Sequence, residues 1–189
     1  MRGSRIHREV YVRFCERVAQ TCRRNAVRRR FPTLPQLETL VRAEFTKRTG
    51  IEVKQIKQLL QSENYPFMLA NLDGVCDHPD FGPVIFEAKT ASAYKAAEWE
   101  DAIPDEYQLQ VQHYMAVTGY QGAYVAVLIG GNSFKWKFIE RDEELISMLI
   151  ELESAFWNHV QDCTPPPLDG SEASAKFLSE RFPSSVRSA

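Results

Sequence analysis

The sequence predicts a mixed α/β protein, an α+β sheet flanked by helices. Three observations carry that class. Apolar residues recur at spacings of three and four over Gln36–Thr49, Asp105–Thr118 and Asp142–Val160, the period of amphipathic helices. Residues alternate every second position over Phe67–Asp73, Pro83–Ala91 and Phe134–Ile139, the period of strands. The order of these stretches (helix, strands, helix, hairpin, helix) suits one sheet with helices packed on it.

In chain order, the first 30 residues are Arg-rich, with Val10, Phe14, Val18 and Val27 loosely at helical spacing. Pro32 and Pro35 mark a boundary. The helix over Gln36–Thr49 presents Leu37, Leu40, Val41, Glu44 and Phe45 on one side, and Gly50 stops it. Ile51–Leu60 is ambiguous between strand and helix. In Phe67–Asp73, Met68, Ala70 and Leu72 line one face, and Phe67, Leu69, Asn71 and Asp73 the other. The turn-rich CDHPDFGP connects to Pro83–Ala91, where Val84, Phe86 and Ala88 alternate with Ile85, Glu87 and Lys89. A polar loop, Ser92–Ile103, precedes Pro104, which opens a helix whose first turn carries Asp105 and Glu106. That helix turns Tyr107, Gln110, Val111, Tyr114 and Met115 to one side. A hairpin turning at Gly130-Gly131-Asn132 follows. The last long helix has Leu145, Met148, Leu149, Leu152, Phe156 and Trp157 on its core stripe.

The 189 residues, 44% of them hydrophobic, suffice for one domain with a real core. The expected organisation is an arm over 1–33, a folded domain over 34–162 and a Pro/Ser-rich, flexible tail over 163–189, with FLSERF open to a short helix. No apolar run spans a bilayer and no secretory signal is evident, so a soluble intracellular protein without membrane association is expected. The four cysteines form no C-x-x-C and no His pair completes a zinc set. Residues 1–33 hold ten Arg against two Glu, about +8, which leaves about −10 on the rest of a chain whose net charge is −2. A basic arm on an acidic body allows phosphate contact only through local patches.

Read as a hairpin, Phe67–Lys89 brings Asp73 beside Glu87 and Lys89. Two carboxylates on neighbouring strands are hard oxygen ligands for Mg²⁺, and a lysine two residues on faces the same side. Such a set can activate water and neutralise the charge that grows on a phosphodiester. The same pattern also describes a solvent-facing strand pair, and the residues alone leave both readings open. Gln110 and Tyr114, four apart on one helix, can reach a phosphate or a water, or can pack on the sheet. Glu38, by itself, is an ordinary helix carboxylate.

These residues carry a family resemblance. LDG, EAK fourteen residues beyond the Asp, and then QVQHY resemble the ordered motifs of the PD-(D/E)XK nuclease superfamily. YPFMLANLDGV, IPDEYQLQVQHYMAVTG and YVAVLIGG resemble the phage recombination exonucleases of the YqaJ/lambda exonuclease type, over roughly Leu34–Val160. The resemblance implies a restriction-endonuclease-like core and an Mg²⁺-dependent deoxyribonuclease in which Mn²⁺ substitutes. The implied activity is 5′→3′ exonuclease on duplex DNA ends, beside a single-strand annealing protein and in a homotrimer. The implied setting is the bacterial cytoplasm, in a phage or prophage protein. It implies Asp73, Glu87 and the Ala88 carbonyl as metal ligands and Lys89 as catalytic lysine. Gln110 and Tyr114 become supports for water and DNA, and Glu38 the acid of the preceding helix. Two other readings stand beside it: a PD-(D/E)XK endonuclease, and a catalytically impaired DNA-binding or assembly module using the Arg-rich arm. Family members open on a Gly-Ser-Asp-rich segment that Met1–Arg30 does not resemble.

Overall fold

The structure is a computed structural model that describes residues 34–164, 167–168, 170 and 172–181. The Arg-rich arm expected over 1–33 lies outside the described residues. Among the described residues, those within Phe31–Ile150 form one compact unit, and those from Glu151 onward belong to a second.

Helix α1 (Leu34–Thr49) ends on Gly50, whose φ of 75° is the left-handed cap that glycine adopts without strain. Strands β1 (Val53–Lys54), β2 (Leu60–Gln61), β3 (Leu69–Ala70), β4 (Gly74–His78) and β5 (Gly82–Ala91) follow. A 3₁₀ helix, Ala93–Trp99, leads to α2 (Asp105–Thr118), then β6 (Gly122–Ile129), β7 (Ser133–Glu140) and α3 (Glu143–Gln161). A final helix, α4 (Glu172–Arg181), takes in most of the FLSERF stretch.

The main sheet runs β1-β4-β5-β6-β7, and β2 pairs with β3 in a separate ribbon. Among the described residues only β5 and β6 pair in parallel, with α2 in the crossover that parallel pairing requires. That placement decides the character of β5. Val84, Phe86 and Ala88 pack with Val41 and Phe45 of α1 on one face of the sheet. Ile85 on the other face joins Val111 and Met115 of α2, together with Val125 and Val127 of β6. A central strand covered on both faces reads as a nearly continuous apolar run, and Glu87 and Lys89 are the charged interruptions of this one.

Several expectations are corrected here. The run Phe67–Asp73 is not one strand of a hairpin with β5: only Leu69–Ala70 is extended in pairing, with β2. The hairpin partner of β5 is β4, with Gly74 opposite Phe86 and His78 opposite Gly82, so Asp77 and His78 of the expected turn lie in the strand. On α1, Leu40 is 52% exposed, whereas Val41 and Phe45 are buried. On α3, Ile146 and Leu149 are the buried residues of the first turns, in place of the expected Leu145. Trp99, expected in a polar loop, is buried. Among the described residues no helix is long and apolar enough to cross a membrane.

Candidate active site

Three elements meet under the α2 face of the sheet. Asp73 stands one residue before β4, and its Oδ2 accepts the Ala88 backbone N–H at 3.0 Å. A side-chain carboxylate thus takes a donor of the central strand where the β4 ladder stops, and this fixes Asp73 against β5. Its own carbonyl accepts from Arg42 of α1 at 3.3 Å.

Two positions apart on β5, Glu87 and Lys89 point to the same side, and both are buried (3% and 9% exposed). Lys89 Nζ donates to Glu87 Oε1 at 2.5 Å and to Gln110 Oε1 at 2.9 Å. Gln110 Nε2 donates to Glu87 Oε1 at 2.8 Å and to Tyr114 Oη at 2.9 Å. Gln110 therefore ties the acid, the ammonium and the phenol into one network, and the four-residue step from Gln110 to Tyr114 keeps both on one helix face.

One oxygen stands apart. Glu87 Oε2 is buried without a hydrogen-bond partner. Burial pushes the Glu87 carboxyl up from the ordinary 4.5 to about 7; Lys89 opposes the rise, and the charges of Asp73 and Glu38 add to it. Buried orphan oxygens are rare in folded proteins, and a carboxylate oxygen without a donor, on an acid that feels a second acid's charge, is suited to a cation. The donor set is small. Among the described residues, no three His, Cys, Asp or Glu side chains form a metal-holding group. Asp73 and Glu87 are hard oxygen donors, and a divalent cation that keeps several waters needs only one or two carboxylates.

Residues 35–121 match the family model of the YqaJ-like viral recombinase domain. Over those residues the chain is similar to that family. It is 47% identical over 150 residues to YqaJ of Bacillus subtilis (strain 168), an uncharacterized protein, covering 77% of this chain. The chain spans about half (46%) of the length of that relative. The chain is also similar in fold to an alkaline exonuclease from Laribacter hongkongensis, with a TM-score of 0.55 and 22% identity over 78% of this chain and 71% of that one. A phage-related exonuclease from Haemophilus somnus 129PT matches with a TM-score of 0.51 and 16% identity over 64% and 65% of the two chains. The fold shared with those two proteins is a mixed sheet flanked by helices.

Within the matched residues 35–121, Asp73, Glu87, Ala88, Lys89, Gln110 and Tyr114 come together, and Glu38 of α1 is near enough for its charge to act on Glu87. Two contributors escaped the sequence reading. Arg42 holds the Asp73 carbonyl. Tyr107 places its ring centroid 4.9 Å from Lys89 Nζ. Its position one helical turn before Gln110, on the same face, was the available signal. The neighbouring glutamines do other work. Gln108 Nε2 donates to the Ile103 carbonyl at 2.7 Å, and buried Gln112 donates to Glu140 O at 2.8 Å while accepting from the Asp142 N–H at 3.0 Å.

Proposed function

We propose that this chain is a metal-dependent deoxyribonuclease of phage-type recombination, an exonuclease that degrades duplex DNA ends 5′→3′ with Mg²⁺, or Mn²⁺ in its place. The observation that carries the reading is the buried Glu87–Lys89–Gln110 network, with Glu87 Oε2 left without a hydrogen-bond partner. The fold shared with the two exonucleases and the similarity to the YqaJ-like family support it.

In this reading Asp73, Glu87 and the Ala88 carbonyl would hold the metal. When bound, the cation neutralises charge on the scissile phosphate and makes a water a better nucleophile. The rest falls to the chain. Lys89, held by Glu87 and Gln110, offers a fixed positive charge where the phosphate oxygens become more negative. Gln110 sets the position of the ammonium and of Glu87 together, and Tyr114 anchors its amide. Arg42 and the Ala88 N–H hold Asp73 in place. Glu38 adds negative field that favours a cation. The nuclease domain is taken as 34–162, with 1–33 an arm that supplies phosphate contacts and 163–189 a tail. A single-strand annealing protein is the expected partner, and a homotrimer the expected assembly.

Linear duplex labelled at the 5′ or the 3′ end, incubated with purified protein and Mg²⁺, tests the reading. Stepwise release of the 5′ label, stopped by EDTA and abolished in Lys89→Ala, is expected. Cleavage of closed circular DNA would replace the exonuclease with an endonuclease. Salt-sensitive DNA binding without cleavage under any metal, lost on removing residues 1–30, would leave a binding module instead.

A further inference from the structure

We infer that Tyr107 is a positioning residue for Lys89: its ring face, braced by Trp99, holds the ammonium in the orientation that the proposed cleavage requires. The inference rests on the nuclease reading of this site.

An ammonium has three donor directions. Lys89 spends two, on Glu87 Oε1 and Gln110 Oε1. The Tyr107 ring lies 4.9 Å from Nζ, well inside the roughly 6 Å reach of a cation–π contact. The flexible four-carbon stem of a lysine would otherwise leave the charge several rotamers, and a water in place of the ring would satisfy it without fixing it. An aromatic face attracts the cation without offering a competing acceptor, so the ammonium stays available to a phosphate oxygen.

Tyr107 is itself held. Its ring stacks on Trp99 with centroids 5.1 Å apart and planes 24° from parallel. Trp99 is 4% exposed and packs in the same core as Ile103 and Val127. The backbone around Trp99 is pinned from the sheet edge: Lys135 of β7 donates to the Trp99 carbonyl at 3.4 Å, and Lys137 donates to that of Asp101. At the other end, the Tyr107 N–H bonds the Pro104 carbonyl at 2.8 Å, in the first turn of α2. A brace thus runs from β7 through Trp99 and Tyr107 to Lys89, although none of its members except Lys89 belongs to the acid–lysine set.

The test replaces Tyr107 by Phe, by a series of progressively fluorinated phenylalanines, and by Leu. Two quantities are read: kcat and KM on linear duplex with Mg²⁺, and the NMR shift of the Lys89 ε-methylene in metal-free protein. Tyr107→Phe is expected to keep kcat within about twofold, because the ring face is retained. The fluorinated rings keep the shape and drain the face, so kcat should fall with each fluorine. Tyr107→Leu should lose about tenfold or more in kcat at unchanged KM. The ring current should shift the Lys89 methylene upfield in wild type and Tyr107→Phe, and the shift should vanish in Tyr107→Leu. A fluorinated series as fast as Phe, a fully active Tyr107→Leu, or a Lys89 resonance indifferent to the ring overturns the inference alone. A wild-type protein without metal-dependent cleavage overturns the nuclease reading, and the positioning role with it.

Discussion

Glu87 gives its two oxygens opposite environments: Oε1 accepts from both Lys89 and Gln110, and the buried Oε2 accepts from nothing. The asymmetry is costly in a metal-free protein, since a buried acceptor without a donor loses its hydration. A bound cation would supply the missing partner. Mg²⁺ is therefore expected to raise the melting temperature of wild type and to leave Glu87→Gln nearly unchanged. Glu87→Gln should also lose activity by about 10²–10³-fold, the scale seen when one electrostatic contact of an active site is removed. Thermal unfolding with and without Mg²⁺, run beside a nuclease assay, checks both.

The pH response follows from the same acid. Folding raises the Glu87 carboxyl from 4.5 to about 7, so between those values the folded chain binds more protons at this site than the unfolded one. The stability this contributes is fully present below about 4.5 and is lost as pH rises through about 7. The difference in unfolding free energy between metal-free wild type and Glu87→Gln should accordingly change across that window, wild type falling relative to the variant as pH rises. Metal binding has the opposite sign, because the ligand is the carboxylate: affinity for Mg²⁺ should climb up to about pH 7 and level off above it. Calorimetric titration in two buffers of different ionisation enthalpy should show proton release at pH 6 and much less at pH 8.

How far the chain could be read in advance depends on whether local or distant contacts decide each position. Helix α2 was legible to its ends because its signals are local: Pro104 before it, Asp105 and Glu106 in the first turn, and Gly119 at a φ of 75° after it. The β6–β7 hairpin was legible for the same reason. The alternation of Glu87 and Lys89 was visible, but their burial was not, since it depends on β5 lying between β4 and β6 with helices on both faces. Leu40 follows helical spacing as well as Val41 does, and only the placement of α1 on the sheet separates them. Helical spacing places Tyr107 on the side of Gln110 and Tyr114, but gives it no role of its own. Nothing local tells that the sheet residue opposite is a lysine.

Gln110 and Gln112 offer a control within one motif. They sit two apart on α2, about 200° around the helix by its geometry, so they serve different neighbours. Gln112→Leu strips the Glu140 carbonyl and the Asp142 N–H of their partners at the β7–α3 junction and should cost about 1–3 kcal/mol of stability. The folded fraction should keep the wild-type kcat. Gln110→Ala should do the reverse, with a fall in kcat of about tenfold or more and a smaller change in stability. Denaturant unfolding together with kcat normalised to folded protein separates the two. Equal losses in both assays for both variants would mean that the motif acts only as a helix–sheet contact.

Gly74 tests whether the position of Asp73 is set from the far edge of the sheet. A Cβ built on Gly74 would lie 2.6 Å from Val53 Cγ1 and 3.0 Å from the Lys54 carbonyl oxygen. The valine side chain has some freedom to turn away, but the carbonyl belongs to the backbone of β1, so strand β1 or β4 must move. Gly74 is paired opposite Phe86, and the next residue back, Asp73, reaches the Ala88 N–H. A shift of β4 therefore moves the carboxylate off that donor and away from Glu87. Gly74→Ala is expected to destabilise by about 1–3 kcal/mol, as overpacked sites do, and to lose activity well beyond its unfolded fraction although every acid and the lysine are retained. Measuring cleavage at a temperature where the variant is fully folded decides it. Undiminished kcat there would mean that Arg42 and the Ala88 N–H suffice to hold Asp73 without the close approach of β1.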